Sequence, residues 1–128
     1  MNGIIVTLTD TRYSKINAYD ITMLLNELRE AGAEAISINE QRIVYDSYIA
    51  NINGTNYITI NGERVVAPYT IKAIGNTTYL ESSVAQKNYG FIDTQISEGK
   101  QVTLERGTSI IIPAYNRSLD FEYVKEEG

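Results

Sequence analysis

Residues 26–43 read NELREAGAEAISINEQRI, and a change of hydrophobic pattern within this stretch decides the fold. Apolar residues at helical spacing lead into it and form one stripe: Ile21, Leu24, Leu25 and Leu28. This spacing predicts an amphipathic helix over residues 19–31, ended by Gly32, because glycine readily adopts the left-handed conformation that often follows a helix. Alternating apolar and small residues follow at once, so residues 33–39 are predicted to form a strand close to that helix.

Further strands are predicted on both sides of this helix–strand unit, from β-branched and alternating runs: residues 3–8, 69–74, 101–105 and 109–112. Asn-Gly pairs at 53–54 and 61–62 separate short alternating runs, and they predict a β-meander before the strand that begins at Tyr69. A second helix is predicted over residues 77–86, and residues 91–96 continue it as helix or turn.

The order of these elements points to one fold plan. Without the meander, the sequence of strand, helix, strand, strand, helix, strand is the βαββαβ plan of the ferredoxin-like fold. We therefore predict an α+β domain, in which an antiparallel sheet carries two helices on one face and an inserted β-hairpin. The 128 residues suit a single domain, assigned to residues 1–115, and residues 116–128 are a charged C-terminal tail that we expect to fray.

The residue types that are absent exclude several kinds of chemistry. Without Cys or His, the chain has no thiol nucleophile, no zinc–thiolate site and no Ser-His-Asp triad. It has no glycine-rich phosphate loop and its acidic residues are scattered, so we expect no cofactor and no metal site. The net charge of −5 argues against nucleic-acid binding, which needs a basic surface. Its apolar runs are far shorter than the roughly 20 residues of a membrane helix, so we expect this fragment to be soluble.

Polar side chains near the helix-to-strand junction are the sharpest candidates for a binding site: Asn26, Glu34, Asn39, Gln41 and Arg42. Three interpretations remain open. In the first, Arg42 binds a carboxylate or phosphate and the neighbouring amides orient it, because a guanidinium pairs with such anions through two hydrogen bonds. In the second, Asn26 and Asn39 hold the loop between helix and strand, and Arg42 covers the sheet edge. In the third, the residues form a protein-contact surface.

Four blocks of sequence, spread over the chain, carry a family resemblance: Gly3-Ile4-Ile5-Val6 with Asp10, residues 26–43, residues 60–75 (INGERVVAPYTIKAIG) with Leu80, and residues 111–115 (IIPAY). In this order they resemble the C-terminal domain of the YlxW/YlxX-like bacterial proteins, a family of unknown function found in Gram-positive bacteria. One departure is at residue 40. The family usually reads Asn-Gly-Gln-Arg there, whereas this chain reads Asn39-Glu40-Gln41-Arg42.

The resemblance implies a longer parent protein, with a short N-terminal membrane anchor, a coiled coil and then this domain on the extracytoplasmic face of the bacterial cell membrane. The membrane would be reached only through a segment absent from this chain. The resemblance transfers no catalytic residue, so we expect the domain not to be an enzyme. We expect an interaction or assembly module linked to cell division or the cell envelope. Its partner would be a protein of the envelope or division machinery, or a second copy of itself.

Two alternative functions remain. The first is a small sensor domain in which Arg42, Asn39 and Gln41 bind an anionic ligand. The second and weaker alternative is a hydrolase that uses the carboxylate of Glu27 or Glu34, although nothing in the sequence sets the distance between two such groups.

Overall fold

The helix predicted from the apolar stripe is α1, Ala18–Glu30. It begins with a capping box, in which the Asn17 side chain accepts a hydrogen bond from the Asp20 N–H (2.9 Å) and the Asp20 carboxylate accepts one from the Asn17 N–H (3.0 Å). All four residues of the predicted stripe are buried. Gly32 follows the helix with a φ of 89°. The prediction of this helix and of its buried face is confirmed.

The computed structural model describes residues 1–44, 46–52, 55, 57–87 and 90–114. In chain order the described elements are β1 (Gly3–Thr9), α1 (Ala18–Glu30), β2 (Ala35–Ile38), β3 (Gln41–Arg42), β4 (Ile49–Asn51), β5 (Ile58–Ile60), β6 (Glu63–Val65), β7 (Tyr69–Ile74), α2 (Thr77–Val84), α3 (Phe91–Ser97) and β8 (Gln101–Gly107). The charged tail predicted at residues 116–128 and the Asn-Gly pair at 53–54 lie outside the described residues.

Five strands form one antiparallel sheet in the order β3-β2-β7-β1-β8. β1 lies between β7 and β8 and pairs with both of them along its length. On one face, Ile4, Val6 and Leu8 of β1 are fully buried in the same core as the leucines of α1, and we call this the helix face. The opposite side, which carries Thr7 and Lys72, is the open face.

The structure confirms an α+β fold with antiparallel sheets, but it differs from the prediction in the number of helices. Two helices were expected, and the described residues form three, because the segment after β7 is divided into α2 and α3. The division falls at Gly90, which has an extended conformation at the start of α3. A side chain at this position would collide with the backbone of Gln86, so the glycine permits the close approach of the two segments.

The inserted segment forms the predicted β-meander, but as a separate three-stranded sheet in the order β4-β5-β6 and not as the single inserted hairpin of the predicted fold plan. Ile58 and Ile60 of its central strand are buried and belong to the main core. The side chain of Asn51 accepts a hydrogen bond from the Ala18 N–H at the start of α1 (3.0 Å). The small sheet is therefore held against the first turn of α1, where a free backbone N–H needs an acceptor.

Residues 109–112 were predicted to form a strand, and this prediction is wrong. After Gly107 the chain turns onto the open face, where Ile110 packs so close to Gly107 that a side chain there would collide with it. Ile110 is buried, and its backbone N–H donates a hydrogen bond to the Met1 carbonyl (3.0 Å). The apolar run covers the sheet instead of extending it, because the glycine leaves room for the isoleucine on the face.

β2 and β3 are joined by the two-residue turn Asn39-Glu40, whose φ angles are 46° and 68°. Two positive φ angles define a type I′ turn, whose twist matches that of the strands on either side. The turn therefore forms although Glu40 stands where the resembling family has glycine. An ion pair between the Glu40 carboxylate and Lys72 Nζ (2.6 Å) links the turn to β7.

Replacing Glu40 by glycine is expected to raise the free energy of unfolding by up to about 1 kcal/mol, because glycine adopts a positive φ without strain. The loss of the ion pair to Lys72 reduces this gain in stability only a little. The Glu40 side chain is 63% exposed, and exposed ion pairs contribute about 0–1 kcal/mol. Urea unfolding measures the change. The matched control is Glu40→Ala, which loses the ion pair but keeps the strained backbone. Equal losses of stability in both variants would contradict a strained turn.

The hydroxyl of Tyr69, at the start of β7, is fully buried and has no hydrogen-bond partner among the described residues. Burial, together with the negative charge of Asp10, raises the pKa of Tyr69 to about 12. In the unfolded chain this phenol ionises near its ordinary value of 10.0. The unfolded state thus loses a proton first, and stability contributed by neutral Tyr69 is present below pH 10 and is lost as the pH rises towards 12.

Tyr69→Phe is expected to flatten the alkaline side of the stability profile. The wild-type chain loses up to about 2.7 kcal/mol from this group over two pH units, whereas phenylalanine cannot ionise. At neutral pH the variant is expected to be as stable as the wild type or slightly more stable, because it lacks an unpaired buried hydroxyl. Urea unfolding at several pH values from about 9 to about 11 tests this. Tyr79→Phe, at a position 66% exposed, is the control, and identical pH profiles for all three chains would refute the assignment.

Candidate functional site

The β2–β3 hairpin determines where three of the five predicted site residues lie. Asn39 is in the turn, and its side-chain oxygen accepts a hydrogen bond from the Thr70 N–H (2.7 Å) while its own N–H donates to the Thr70 carbonyl (3.0 Å). Its amide therefore holds the turn against β7 and acts in place of a backbone group. Gln41 and Arg42 form β3, with Arg42 opposite Ser37 of β2.

A groove of about 390 Å³ lies at the β2 edge of the open face. Its lining is mostly apolar and consists of Met1, Glu34, Ala35, Arg42, Ile74, Ile110, Ile111 and Ile112. The groove thus brings two of the predicted residues together, Glu34 from the loop before β2 and Arg42 from β3. The opposite wall of the groove is formed by residues 110–112, which follow β8 and fold back over the sheet.

Arg42 is half-buried, and no acidic partner or hydrogen-bond acceptor contacts it among the described residues. Arg42, Ser37 of β2 and Lys72 of β7 form a row across the open face, because Ser37 is paired in register with Arg42 on one side and with Lys72 on the other. The Ser37 hydroxyl is buried and also has no partner among the described residues. The row contains two cations. Lys72 forms an ion pair with Glu40, whereas Arg42 forms none within the described chain.

Asn26 and Gln41 do not take part in this groove. Asn26 lies on the exposed side of α1, outside the buried stripe. A second cavity of about 300 Å³ shares Glu34 and Ala35 with the groove, but it too is lined by neither Asn26 nor Gln41. The five predicted residues therefore do not form one site.

A buried ionic cluster that sequence reasoning missed joins the start of α1 to the end of α3. Lys100 Nζ lies 2.8 Å from the Asp20 carboxylate, which also accepts a hydrogen bond from the Gln95 side chain (3.2 Å). The exposed fractions of the Lys100 and Asp20 side chains are 6% and 4%. From the sequence alone, Asp20 is only an acid in the first turn of α1, where the helix N-terminus favours a negative charge. Nothing near Lys100 in the sequence indicates a partner so far away along the chain.

The electrostatics of this cluster suit a structural role. Burial lowers the pKa of Lys100, but its hydrogen bonds to Asp20 and Glu98 outweigh this effect and the pKa is raised overall. A lysine that serves as base or nucleophile needs a lowered pKa instead. The cluster therefore keeps Lys100 charged and fixes α1 against the segment that leads into β8.

β8 forms the edge of the main sheet opposite to β3. It has seven residues, and no described strand pairs with its outer side. Gln101, Thr103 and Glu105 are exposed on the open face, and Val102 and Leu104 are half-buried on the other face. Such an edge offers unpaired backbone N–H and C=O groups to another strand.

None of the described helices is both long enough and apolar enough to cross a bilayer. Within the described ranges, no three acidic side chains come together in a group able to hold a metal ion.

Comparisons with known proteins agree on one family. Residues 2–125 match the family model described as "Bacterial protein of unknown function (DUF881)". The chain is 37% identical over 104 residues to UPF0749 protein YlxX of Bacillus subtilis (strain 168), a match that covers 80% of this chain and 43% of that protein. It is 33% identical over 117 residues to UPF0749 protein YlxW of the same organism, over 84% of this chain and 49% of that protein.

A solved structure extends the likeness to the fold. The crystal structure of an uncharacterized conserved protein from Mycobacterium tuberculosis superposes with a TM-score of 0.71 and 25% sequence identity, over 91% of this chain and 85% of that chain. The chain spans less than half the length of the two Bacillus subtilis relatives, at 43% and 49%. With the resemblance to YlxW and YlxX now supported by a family model, two relatives and a fold, the chain belongs to the bacterial DUF881 family, whose function is unknown.

Proposed function

We propose that this domain is a non-enzymatic assembly module that joins a second copy of itself through the free edge of β8. The observation that carries the proposal is the seven-residue edge strand, whose outer side has no partner among the described strands. Pairing of two such edges would satisfy backbone groups on both copies, which is the driving force of β-strand addition.

The side chains of β8 are compatible with antiparallel pairing about a two-fold axis. If the axis passes through Leu104, Thr103 of one copy faces Glu105 of the other, and Val102 faces Arg106. No two like charges are then directly opposite, which is a condition for a stable strand pair. Arg106 is already bound to Glu81 of α2 through two hydrogen bonds of 3.0 and 2.7 Å, so its charge is compensated within its own chain.

The strand order supports the same proposal at the level of the fold. Read as β2-β7-β1-β8, with α1 and the α2–α3 pair as the connections, the main sheet fits the ferredoxin-like βαββαβ plan that we propose for it. In that plan the helices cover one face, so one face and the two edges are left for contacts. In the longer parent we place this domain on the extracytoplasmic side of the membrane, within an assembly of the cell envelope or division machinery, as its family resemblance implies.

The other two functions receive less support from the geometry. A sensor of small anions would favour an enclosed polar pocket around Arg42, and the groove beside Arg42 is open and mostly apolar. A carboxylate hydrolase would need two carboxyl groups facing one another across a substrate site. Glu27 instead accepts a hydrogen bond from the Ser83 hydroxyl (2.9 Å), and Glu34 is exposed at the rim of the groove.

A charge swap tests the proposed pairing. Thr103→Glu would place a glutamate opposite Glu105 at two symmetric points, and we expect the dissociation constant of the dimer to rise at least about tenfold, or ~1.4 kcal/mol. Adding Glu105→Lys should restore association, because opposite charges then face one another. Thr103→Gln is the neutral control of the same size. Analytical ultracentrifugation over a range of concentrations gives the constants, and cross-linking of the membrane-anchored parent repeats the comparison in cells.

Two outcomes would count against the proposal. A wild-type chain that stays monomeric at every concentration, with unchanged cross-linking of the parent, would rule out self-association through β8. A dimer that all three variants form equally well would place the interface elsewhere.

A further inference from the structure

The groove on the open face has one unpaired charge in its lining. Arg42 is half-buried, and neither an acidic side chain nor a hydrogen-bond acceptor contacts its guanidinium among the described residues. The neighbouring acceptor in the same row, the Ser37 hydroxyl, is likewise without a partner in the described part of the chain. Because a charge that is partly removed from water without a counterion is costly, this guanidinium is a favourable binding point for an anion.

The rest of the groove is elongated and apolar. Ala35 of β2 and Ile74 of β7 are paired in register and form its floor. The lining extends from Arg42 on β3 to Met1, which lies just before β1. β3 and β1 are three strand spacings apart in the sheet, or about 14 Å. With a volume of about 390 Å³, the groove has the size of a site for a small molecule.

The lining suits an alkyl chain better than a peptide. Two of its apolar residues, Met1 and Ile111, are 67% and 76% exposed, so an apolar ligand would remove their surface from water. Only two of the eight lining residues carry polar side chains. The edge of β2 is already occupied, since the Ile43 N–H donates a hydrogen bond to the Ile36 carbonyl (2.8 Å). A peptide would bury backbone N–H and C=O groups here with few partners, whereas an alkyl chain has no such groups.

A carboxylate is the head group that fits the charges of the groove. A guanidinium binds a carboxylate through two parallel hydrogen bonds. The lining also contains Glu34, which is exposed and negatively charged. A doubly charged phosphate monoester would be repelled by Glu34 more strongly than a singly charged carboxylate.

We propose that the groove binds an amphipathic carboxylate, such as the anion of a straight-chain fatty acid. The carboxylate pairs with Arg42, and the alkyl chain lies over Ala35 and Ile74 towards Ile110 and Met1. This ligand differs from the small polar anion of a sensor, because most of its binding energy comes from the burial of apolar surface. The site is also independent of the pairing proposed for β8, because β3 and β8 are opposite edges of the sheet.

NMR titration of the whole chain with straight-chain carboxylates, from hexanoate to dodecanoate and below their micelle concentrations, tests the proposal. Octanoate is expected to shift the isoleucine methyl resonances of Ile74, Ile110 and Ile111 until they saturate, with a Kd of about 1 mM or lower. Each further methylene that enters the groove should lower the Kd about three- to fourfold, and the gain should stop when the chain is longer than the groove. If none of these carboxylates gives saturable shifts at these residues, the proposal is wrong.

Two pairs of variants separate the head group from the chain. Arg42→Gln is expected to raise the Kd of octanoate at least about tenfold, but to change that of the uncharged 1-octanol less than about twofold. Arg64→Gln is the matched control, because it removes the same charge from an exposed arginine of β6, outside the groove. Ile111→Ser should weaken the binding of both ligands, whereas Ile96→Ser, at a position of α3 that is 54% exposed, should weaken neither. Equal effects of Arg42→Gln and Arg64→Gln on octanoate would overturn the assignment of the head group.

Two other occupants are outcomes of the same titration. Resonances of Ile74 and Ile111 that move with protein concentration in the absence of ligand would assign the groove to a second copy and contradict the proposal. Vesicles containing phosphatidylglycerol that shift these resonances when octanoate does not would assign it to a membrane surface, with the same consequence. Substitutions at Thr103 should leave the Kd of octanoate unchanged, and octanoate should leave the dimer constant unchanged. Either proposal can therefore fail while the other stands.

Discussion

Replacing Lys100 by methionine is expected to lower the free energy of unfolding by about 3–5 kcal/mol. The substitution removes the ammonium group from the Asp20 carboxylate, whose side chain is only 4% exposed. The Gln95 amide and the Asn17 N–H would continue to donate to that carboxylate, but neither carries a charge. A buried charge without its counterion is what makes the loss large.

The matched control for this prediction is Glu98→Gln. Glu98 also lies near the ammonium group of Lys100, at 3.1 Å, but its side chain is 52% exposed. The change should therefore cost no more than about 1 kcal/mol. Urea unfolding at neutral pH gives both values, and the double variant Asp20→Asn/Lys100→Met should recover part of the loss. Losses of similar size in Lys100→Met and Glu98→Gln would show that the buried Lys100–Asp20 ion pair contributes no more to stability than the exposed Lys100–Glu98 pair.

The raised pKa of Lys100 adds a pH dependence of defined sign. Because the folded state holds this proton more tightly than the unfolded state, the contribution of the pair is fully present below the ordinary lysine value of 10.5. It is lost as the pH rises through the higher value of the folded chain. Lys100→Met should therefore converge towards the wild-type stability at strongly alkaline pH.

Leu28→Ala is expected to cost about 2–5 kcal/mol, because it removes apolar contacts and leaves a cavity beneath α1. Leu28 is fully buried in the core formed by the helix face of the main sheet, the helices and the small sheet. The same core includes Ile4 of β1 and Leu80 of α2, two elements that the sheet and the α2 helix hold in place. The cavity can therefore collapse only in part, which places the cost in the upper half of the range.

The control for Leu28→Ala lies on the same helix. Asn26 is exposed, and Asn26→Ala should change stability by no more than about 0.5 kcal/mol, with a slight gain from the higher helix propensity of alanine. Urea unfolding of both variants gives the comparison. If Asn26→Ala proved as damaging as Leu28→Ala, the assignment of the buried and exposed faces of α1 would be wrong.

Local sequence patterns identified the elements whose causes are local. The spacing of Ile21 to Leu28 defined α1, and the alternation in residues 33–39 placed β2. The departure from the family pattern at residue 40 left the turn there open, and the turn forms with glutamate, with an ion pair to Lys72 and the hairpin around it supporting a positive φ. The patterns failed at Ile110, since only a tertiary contact with Gly107 decides whether an apolar run lies beside a sheet or on it.

The candidate site was harder to predict than the fold. Arg42 and Glu34 do line a common groove, but the other wall of that groove comes from residues 110–112, which lie far away in the sequence. Asn39 acts within its own hairpin and bonds to Thr70, a use of the side chain that no local pattern distinguishes from ligand binding. The partnership of Asp20 and Lys100 joins residues 80 positions apart, and a single sequence contains no sign of it.

The contact between Met1 and Ile110 has a mechanical consequence. Gly3 at the beginning of β1 is paired with Gly107 at the end of β8, so the two chain ends leave the sheet at the same corner. Tension applied between residues 1 and 114 would therefore load the β1–β8 hydrogen bonds one at a time, as in a zipper, and not all together in shear. Forced unfolding should begin with Ile110 leaving Met1 and continue along β1 at low force, so that a pull on this corner separates the edge strand β8 from β1.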